Sequence, residues 1–141
     1  MATVVTGTVG TDVHSMGLRV VEYALRKSGH NVVSLGVQVP LGEFIDGARE
    51  AKADAIWVSS FAGHAEYECA DLRDMCREAG LSNILLYIGG YLAVGPVPWE
   101  VSAAKFKKLG FDRVYPPGTV PPVAIADLAE DLAAMRSSRQ W

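Results

Sequence analysis

The sequence predicts a doubly wound α/β domain, five parallel strands alternating with about five helices. Three observations carry that reading. Short β-branched or apolar runs alternate with longer amphipathic stretches along the 141 residues, the signature of strand–helix–strand units in a parallel sheet. The clearest of the short runs, Ala55 to Val58, is apolar throughout, as a strand covered on both faces must be. Glycines at 29 and 80 close two of the amphipathic stretches, where helices commonly stop.

Taken in order, Thr3 to Val9 is β-branched and glycine-punctuated and predicts the first strand. A helix follows over Leu18 to Lys27, ending at Ser28-Gly29-His30. Val32 to Leu35 is the second strand, and Pro40-Leu41-Gly42 the loop before a short helix over Glu43 to Ala51, with Phe44, Ile45 and Ala48 inward. The third strand, Ala55 to Val58, gives way to a loop from Ser59 to His64. Ala65 to Ala79 forms the third helix, Ile84 to Ile88 the fourth strand, and Gly89 to Gly95 its loop. A helix over Trp99 to Leu109, a brief strand at Arg113 to Tyr115 and a loop from Pro116 to Thr119 lead to the last helix. That helix spans about Pro122 to Met135, with proline in its first turn where it costs no hydrogen bond. The expected layout is one domain over 1–136 and a frayed tail over 137–141, with no repeat or linker. A flavodoxin-like (Rossmann-type) order, 2-1-3-4-5, sets the loop after strand 1 opposite the loop after strand 3 at a switch point.

Composition narrows the partners. A net charge of -3 and a pI near 5.5 offer no electrostatic reason to bind nucleic acid or an anionic membrane. No apolar run approaches the roughly 20 residues of a membrane span. Met1-Ala2-Thr3-Val4 lacks the basic stretch and apolar core of a signal peptide, so a cytoplasmic location is expected. Cys69 and Cys76 lie two helical turns apart, about 10 Å, too far for a disulfide. They share an apolar face with Ala65, Leu72 and Ala79, which predicts buried core thiols.

The chemistry gathers in the loops at the carboxyl ends of the strands. Asp12-Val13-His14-Ser15-Met16-Gly17 sits between the first strand and its helix. An imidazole two residues after a carboxylate there suits a metal-binding histidine oriented by an acid; an Asp capping the helix beside an exposed His is the alternative. Rivals on the same fold lack their required residues. Gly7-Thr8-Val9-Gly10 does not supply G-x-G-x-x-G for a dinucleotide, and no Gly-Lys-Ser/Thr forms a P-loop. A phosphate-accepting Asp at the end of strand 3 is replaced by Ser59 and Ser60. A flavodoxin using the hydroxyl-rich Thr6 to Thr11 would leave His14 and Gly89-Gly90 unexplained.

Asp12-x-His14-x-x-Gly17, Ser59-x-Phe61 and Gly89-Gly90 resemble the D-x-H-x-x-G, S-x-L, G-G pattern of base-off/His-on cobalamin-binding domains. Asn31 to Val37, Lys52 to Ile56 and Gly110 to Thr119 further resemble the small (sigma) subunits of glutamate mutase, or methylaspartate mutase, and the likeness runs to about Leu132. Phe61 departs from the pattern's Leu, and Tyr91 from a usual small polar residue.

The resemblance implies an adenosylcobalamin cofactor whose benzimidazole leaves cobalt while its nucleotide tail enters the domain. His14 then becomes the cobalt axial ligand, and Asp12 accepts its other ring N–H. Gly17 frees space at the first helix turn, Ser59 offers a hydroxyl to the benzimidazole, and Gly89 and Gly90 let the backbone approach the tail. The implied contact set also includes Thr11, Val13, Ser15, Met16, Ser60, Phe61, Gly63, Tyr91, Gly95, Pro117, Gly118 and Thr119. His64 lies near the proposed corrin edge, with capping or exposure equally open. His30 is expected to be exposed, Trp57 to be core, and Trp99 to staple a helix start.

The implied activity is that of an isomerase subunit interconverting L-glutamate and threo-3-methylaspartate. No clustered arginines suggest an amino-acid site here, and a barrel for such chemistry takes about 250 residues. Substrate binding is therefore expected on a large catalytic (epsilon-type) subunit, in a heterotetramer. The alternatives are the small subunit of a related acyl-CoA or amino-acid mutase, and a corrinoid carrier or sensor. Carriers usually place a helical bundle ahead of the motif, and here the motif begins at residue 12.

Overall fold

A computed structural model describes residues 1–10, 16–61, 63–92 and 96–139, without the side chains of 136–139. In chain order the elements are β1 (Thr3–Thr8), α1 (Met16–Lys27), β2 (Asn31–Ser34), α2 (Leu41–Ala51), β3 (Ala55–Ser60), α3 (Ala65–Glu68), α4 (Leu72–Glu78), β4 (Leu85–Gly90), α5 (Trp99–Lys108), β5 (Arg113–Tyr115) and α6 (Pro121–Arg139). All pairings are parallel, as the alternation predicts, and the order is β2-β1-β3-β4-β5, the one expected from the facing loops after strands 1 and 3.

Alternation along each strand divides the interior into two cores. On one face Val5, Ile56, Val58, Leu86 and Ile88 pack under α2 to α5, with Phe44, Leu72 and Phe106. On the other, Val4, Trp57, Leu85, Tyr87 and Tyr115 meet α1 and α6. α1 turns Leu18, Glu22 and Leu25 inward, a spacing of four and three that lies on one helical face. Buried Glu22 is satisfied by the Thr6 hydroxyl, which donates to its carboxylate.

Three departures from the sequence reading bear on function. First, β3 and β4 are longer than predicted: Ser59 and Ser60 are strand residues paired with Gly89 and Gly90, not loop residues. The apolar run ends at Val58, but main-chain pairing continues because it uses no side chain. Second, α1 begins at Met16, so Met16 and Gly17 lie in its first turn. Third, the predicted helix over Ala65 to Ala79 is broken at 69–71 into α3 and α4, where the Leu72 N–H bonds back to the Cys69 carbonyl at 3.1 Å. No Gly or Pro marks that break, and the apolar spacing runs through it.

Cys69 and Cys76 are fully buried, as expected. Burial, then the nearby Glu68 charge, pushes the Cys69 thiol up to about 12. His30 is not simply exposed: its Nδ1 accepts the Ala2 N–H at 2.9 Å, and burial followed by the N-terminal charge lowers its pKa. No helix among the described residues is long and apolar enough to cross a membrane.

Candidate functional site

The parallel arrangement brings every strand's carboxyl end to one edge, and there a cleft of about 190 Å³ opens between α1, the tips of β3 and β4, and the segment joining β5 to α6. It unites residues from four separate stretches: Gly17; Ser59 and Phe61; Gly89 and Gly90; and Pro117, Gly118 and Thr119. Met16, Ser60, Gly63 and Tyr91 stand outside it. Met16 and Tyr91 are exposed. Ser60 alternates to the opposite face of β3, where its buried hydroxyl has no partner among the described residues. Thr11, Asp12, Val13, His14, Ser15 and Gly95 lie outside the described residues.

Each wall has a local cause. Gly90 has φ of 121°, and a Cβ there would fall 2.1 Å from the Ser60 carbonyl oxygen; only glycine lets β4 lie this close to β3. Gly89 has ordinary room, its Cβ position being 3.4 Å from both Trp57 Cζ2 and Tyr115 Cβ, so its lack of a side chain widens the cleft instead. Pro116 to Thr119 form a tight turn, with Gly118 at φ 83° and the Thr119 N–H and hydroxyl both donating to the Pro116 carbonyl, at 3.3 and 2.8 Å. Proline followed by a positive-φ glycine is the type II pattern.

Phe61 accounts for a second glycine. Its ring lies 2.7 Å from where a Gly17 Cβ would be and meets Tyr91 edge-on at 5.8 Å between centroids. The space that Gly17 frees in the first helix turn is thus taken by the aromatic ring that replaces the pattern's Leu.

Trp57 and Tyr115 form the aromatic side of the cleft, stacked with centroids 5.4 Å apart. The Trp57 indole N–H donates to Ser59 Oγ at 3.3 Å, which orients the hydroxyl at the cleft wall. Tyr115 donates to Asp127 on α6 at 2.7 Å, while Asp131 receives Arg113 through two bonds, at 3.1 and 2.8 Å, and the Tyr87 hydroxyl. Burial alone would raise the Asp131 pKa, but these donors outweigh it and hold the carboxyl below its usual range. Both phenols are pushed up, by burial first and the carboxylate bonds second. The network pins α6 to β4 and β5 and keeps the cleft's outer wall in place.

The sequence reading missed Val20, Val21, Trp57, Tyr115, Val120, Pro121 and Ala124 as cleft residues. Apolar side chains carry no signal separating a cleft wall from core or surface: Val20 and Val120 are exposed, and Trp57 serves as both wall and core. His64, exposed at the start of α3, makes no side-chain cap. A wider depression of about 510 Å³ lies at the opposite edge, but its central Arg73 is committed to the Gly110 and Ile84 carbonyls and to Asp112.

A flavodoxin-like parallel sheet with a mostly apolar, glycine-walled cleft at its carboxyl edge defines a small-ligand-binding α/β domain. The chain belongs to the B12 binding domain family, whose sequence profile matches residues 2–126, and within it to the glutamate mutase sigma subunits. It is 49% identical to the glutamate mutase sigma subunit of Clostridium tetani and 48% to that of Clostridium cochlearium, each over 130 residues, covering 92% of this chain and 95% of the relative. Among solved structures, a cobalamin-binding protein from Desulfitobacterium hafniense shares the fold, with a TM-score of 0.75 and 22% identity over 92% of this chain. The methanol:cobalamin methyltransferase complex of Methanosarcina barkeri superposes with a TM-score of 0.69 at 28% identity over 91% of this chain. The chain spans 58% and 46% of those two structures, about half their length.

Proposed function

We propose that this chain is the cofactor-carrying subunit of a glutamate mutase, binding adenosylcobalamin at the carboxyl edge of the sheet and presenting it to a separate large catalytic subunit. The observation that carries the reading is the convergence of Gly17, Ser59, Gly89, Gly90 and the Pro117-Gly118-Thr119 turn on one cleft. The residues fit the group: Gly89 leaves a Cβ-free wall beside Trp57 and Tyr115, and Ser59 places an oriented hydroxyl in apolar surroundings.

In this reading the cleft takes the nucleotide tail, with Ser59 bonding a ring nitrogen. His14 would hold the cobalt through a ring nitrogen, and Asp12 would accept the imidazole's other N–H and fix its tautomer. When bound, adenosylcobalamin supplies the cleavable cobalt–carbon bond on which the rearrangement of L-glutamate to threo-3-methylaspartate depends. The chain itself holds, orients and shields the cofactor, and substrate binding falls to the partner in a heterotetramer.

Spectral titration of the purified chain with adenosylcobalamin tests uptake, and co-expression with a glutamate-mutase-type large subunit tests activity. Saturable uptake and isomerisation only in the mixture are expected; uptake that supports methyl transfer instead would favour a carrier. Asp12→Ala is expected to weaken cofactor binding about 10–100-fold, measured in the same titration; unchanged affinity would demote Asp12 to a helix cap.

A second expectation concerns α1. Ligand pockets commonly hold about 300–1,000 Å³, more than the cleft's 190 Å³. The apolar seam below it, between Leu25 of α1 and Leu128 of α6, leaves only about 10 Å³. The wall able to yield is α1, whose first turn, Met16-Gly17-Leu18, contains a glycine and no acidic residue to favour the helix dipole. Amide exchange of that turn should be fast without cofactor and slow with it; uniform protection in the free protein would contradict this.

A further inference from the structure

We propose that Glu68 is a positioning residue for the ligand segment after β1, its carboxylate seating on Gly10 and setting the direction in which the chain leaves the strand toward Asp12 and His14. The inference rests on the cobalamin reading above. Gly10 has φ of 66°, and a Cβ there would fall 1.5 Å from Glu68 Oε2 and 2.2 Å from its carboxyl carbon. The carboxylate therefore occupies the volume where residue 10 would carry a side chain.

Both ends of this contact are anchored. The Val9 N–H donates to the Ser59 carbonyl at 3.2 Å and the Gly10 N–H to the Val39 carbonyl at 3.0 Å, tying the end of β1 to its neighbours. Glu68 ends α3, whose Ala65 is fully buried, as are the following Cys69 and Leu72, and the Cys69 N–H closes on the Ala65 carbonyl at 2.8 Å. Glu68 Oε1 is itself buried. With the residue half-buried as a whole, a buried oxygen marks a side chain held in place, not one free in solvent.

His14 follows Gly10 by four residues, a reach of at most about 14 Å. An altered exit angle at Gly10 therefore redirects the start of the short segment that carries the imidazole. An axial nitrogen must meet its metal with a defined distance and lone-pair direction, and groups that orient ligands commonly govern affinity about 10–100-fold. The sequence motif includes Asp12 and His14 but not Glu68, because the contact bridges two elements far apart in the chain.

The test compares the intact chain with Glu68→Ala and Glu68→Gln. Cob(II)alamin affinity, the nitrogen splitting in its paramagnetic resonance spectrum, amide exchange in the cofactor-free protein and the melting temperature are measured for each. Glu68→Ala should lose about tenfold in affinity and show weakened splitting. Exchange should rise between Gly10 and Gly17, with little change across the core strands. Glu68→Gln, which keeps the shape and one acceptor oxygen, should recover part of the loss. Wild-type affinity and exchange in Glu68→Ala would overturn the proposal, as would a loss accompanied by faster exchange throughout the core. If the unmodified chain takes up no cobalamin, the functional reading fails, while the exchange data still decide whether Glu68 holds the exit of β1.

Discussion

Replacing His14 with alanine should abolish the protein's nitrogen coupling to cobalt and weaken cobalamin binding by more than the roughly 100-fold upper range of an orienting residue. The resonance experiment has an internal control. With histidine carrying the heavy nitrogen isotope, the triplet from an axial nitrogen becomes a doublet, because the two isotopes differ in nuclear spin. Benzimidazole retained on cobalt would keep its triplet whatever the protein's label. The expected outcome is a label-sensitive pattern in the wild type and none in His14→Ala. A label-insensitive triplet in the wild type would mean that the cofactor's own base remains bound, and the assignment of His14 would fall.

The adjacent glycines of β4 should separate stability from binding. Gly90→Ala must place a Cβ 2.1 Å from the Ser60 carbonyl oxygen, with φ at 121°. The obstacle is backbone of the neighbouring strand, so no rotamer change can relieve it. Backbone strain of about 1–3 kcal/mol and overpacking of similar size together cost about 2–6 kcal/mol. That is a large share of the roughly 5–15 kcal/mol that holds a domain together. A fall in melting temperature of about 10 °C or more is expected. Gly89→Ala meets only ordinary contacts at 3.4 Å, on Trp57 and Tyr115. It should leave the melting temperature within a few degrees while filling cleft volume and weakening tail binding. Equal stability losses in the two variants would show that the Ser60–Gly90 approach is not what requires glycine at 90.

The two variants also illustrate what a motif conveys. Gly89-Gly90 is legible as a pair, yet its members answer to different neighbours, one to a strand and the other to an aromatic wall. Phe61 and Gly17 look independent along the chain, forty-four residues apart, and are in contact. Ser59 and Ser60 look like loop residues because the apolar run stops at Val58; main-chain pairing with β4 makes them strand. The break between α3 and α4 has no Gly or Pro to announce it. Glu68, placed on Gly10 by that short helix, belongs to no motif at all.

What the sequence determined by itself was the alternation of strands and helices, the two-sided burial of the sheet and the loop residues that mark the family. Those properties depend on local periodicity, on glycine and proline, and on functional groups that few other roles would collect in strand-end segments. The walls of the cleft, the glycine that yields to Phe61 and the seating of Glu68 were decided only by tertiary structure. Each of these depends on a distance of a few ångströms between segments remote along the chain. An apolar side chain such as Trp57 or Val21 reads the same whether it faces core or cleft, until a neighbour is set, or not set, against it.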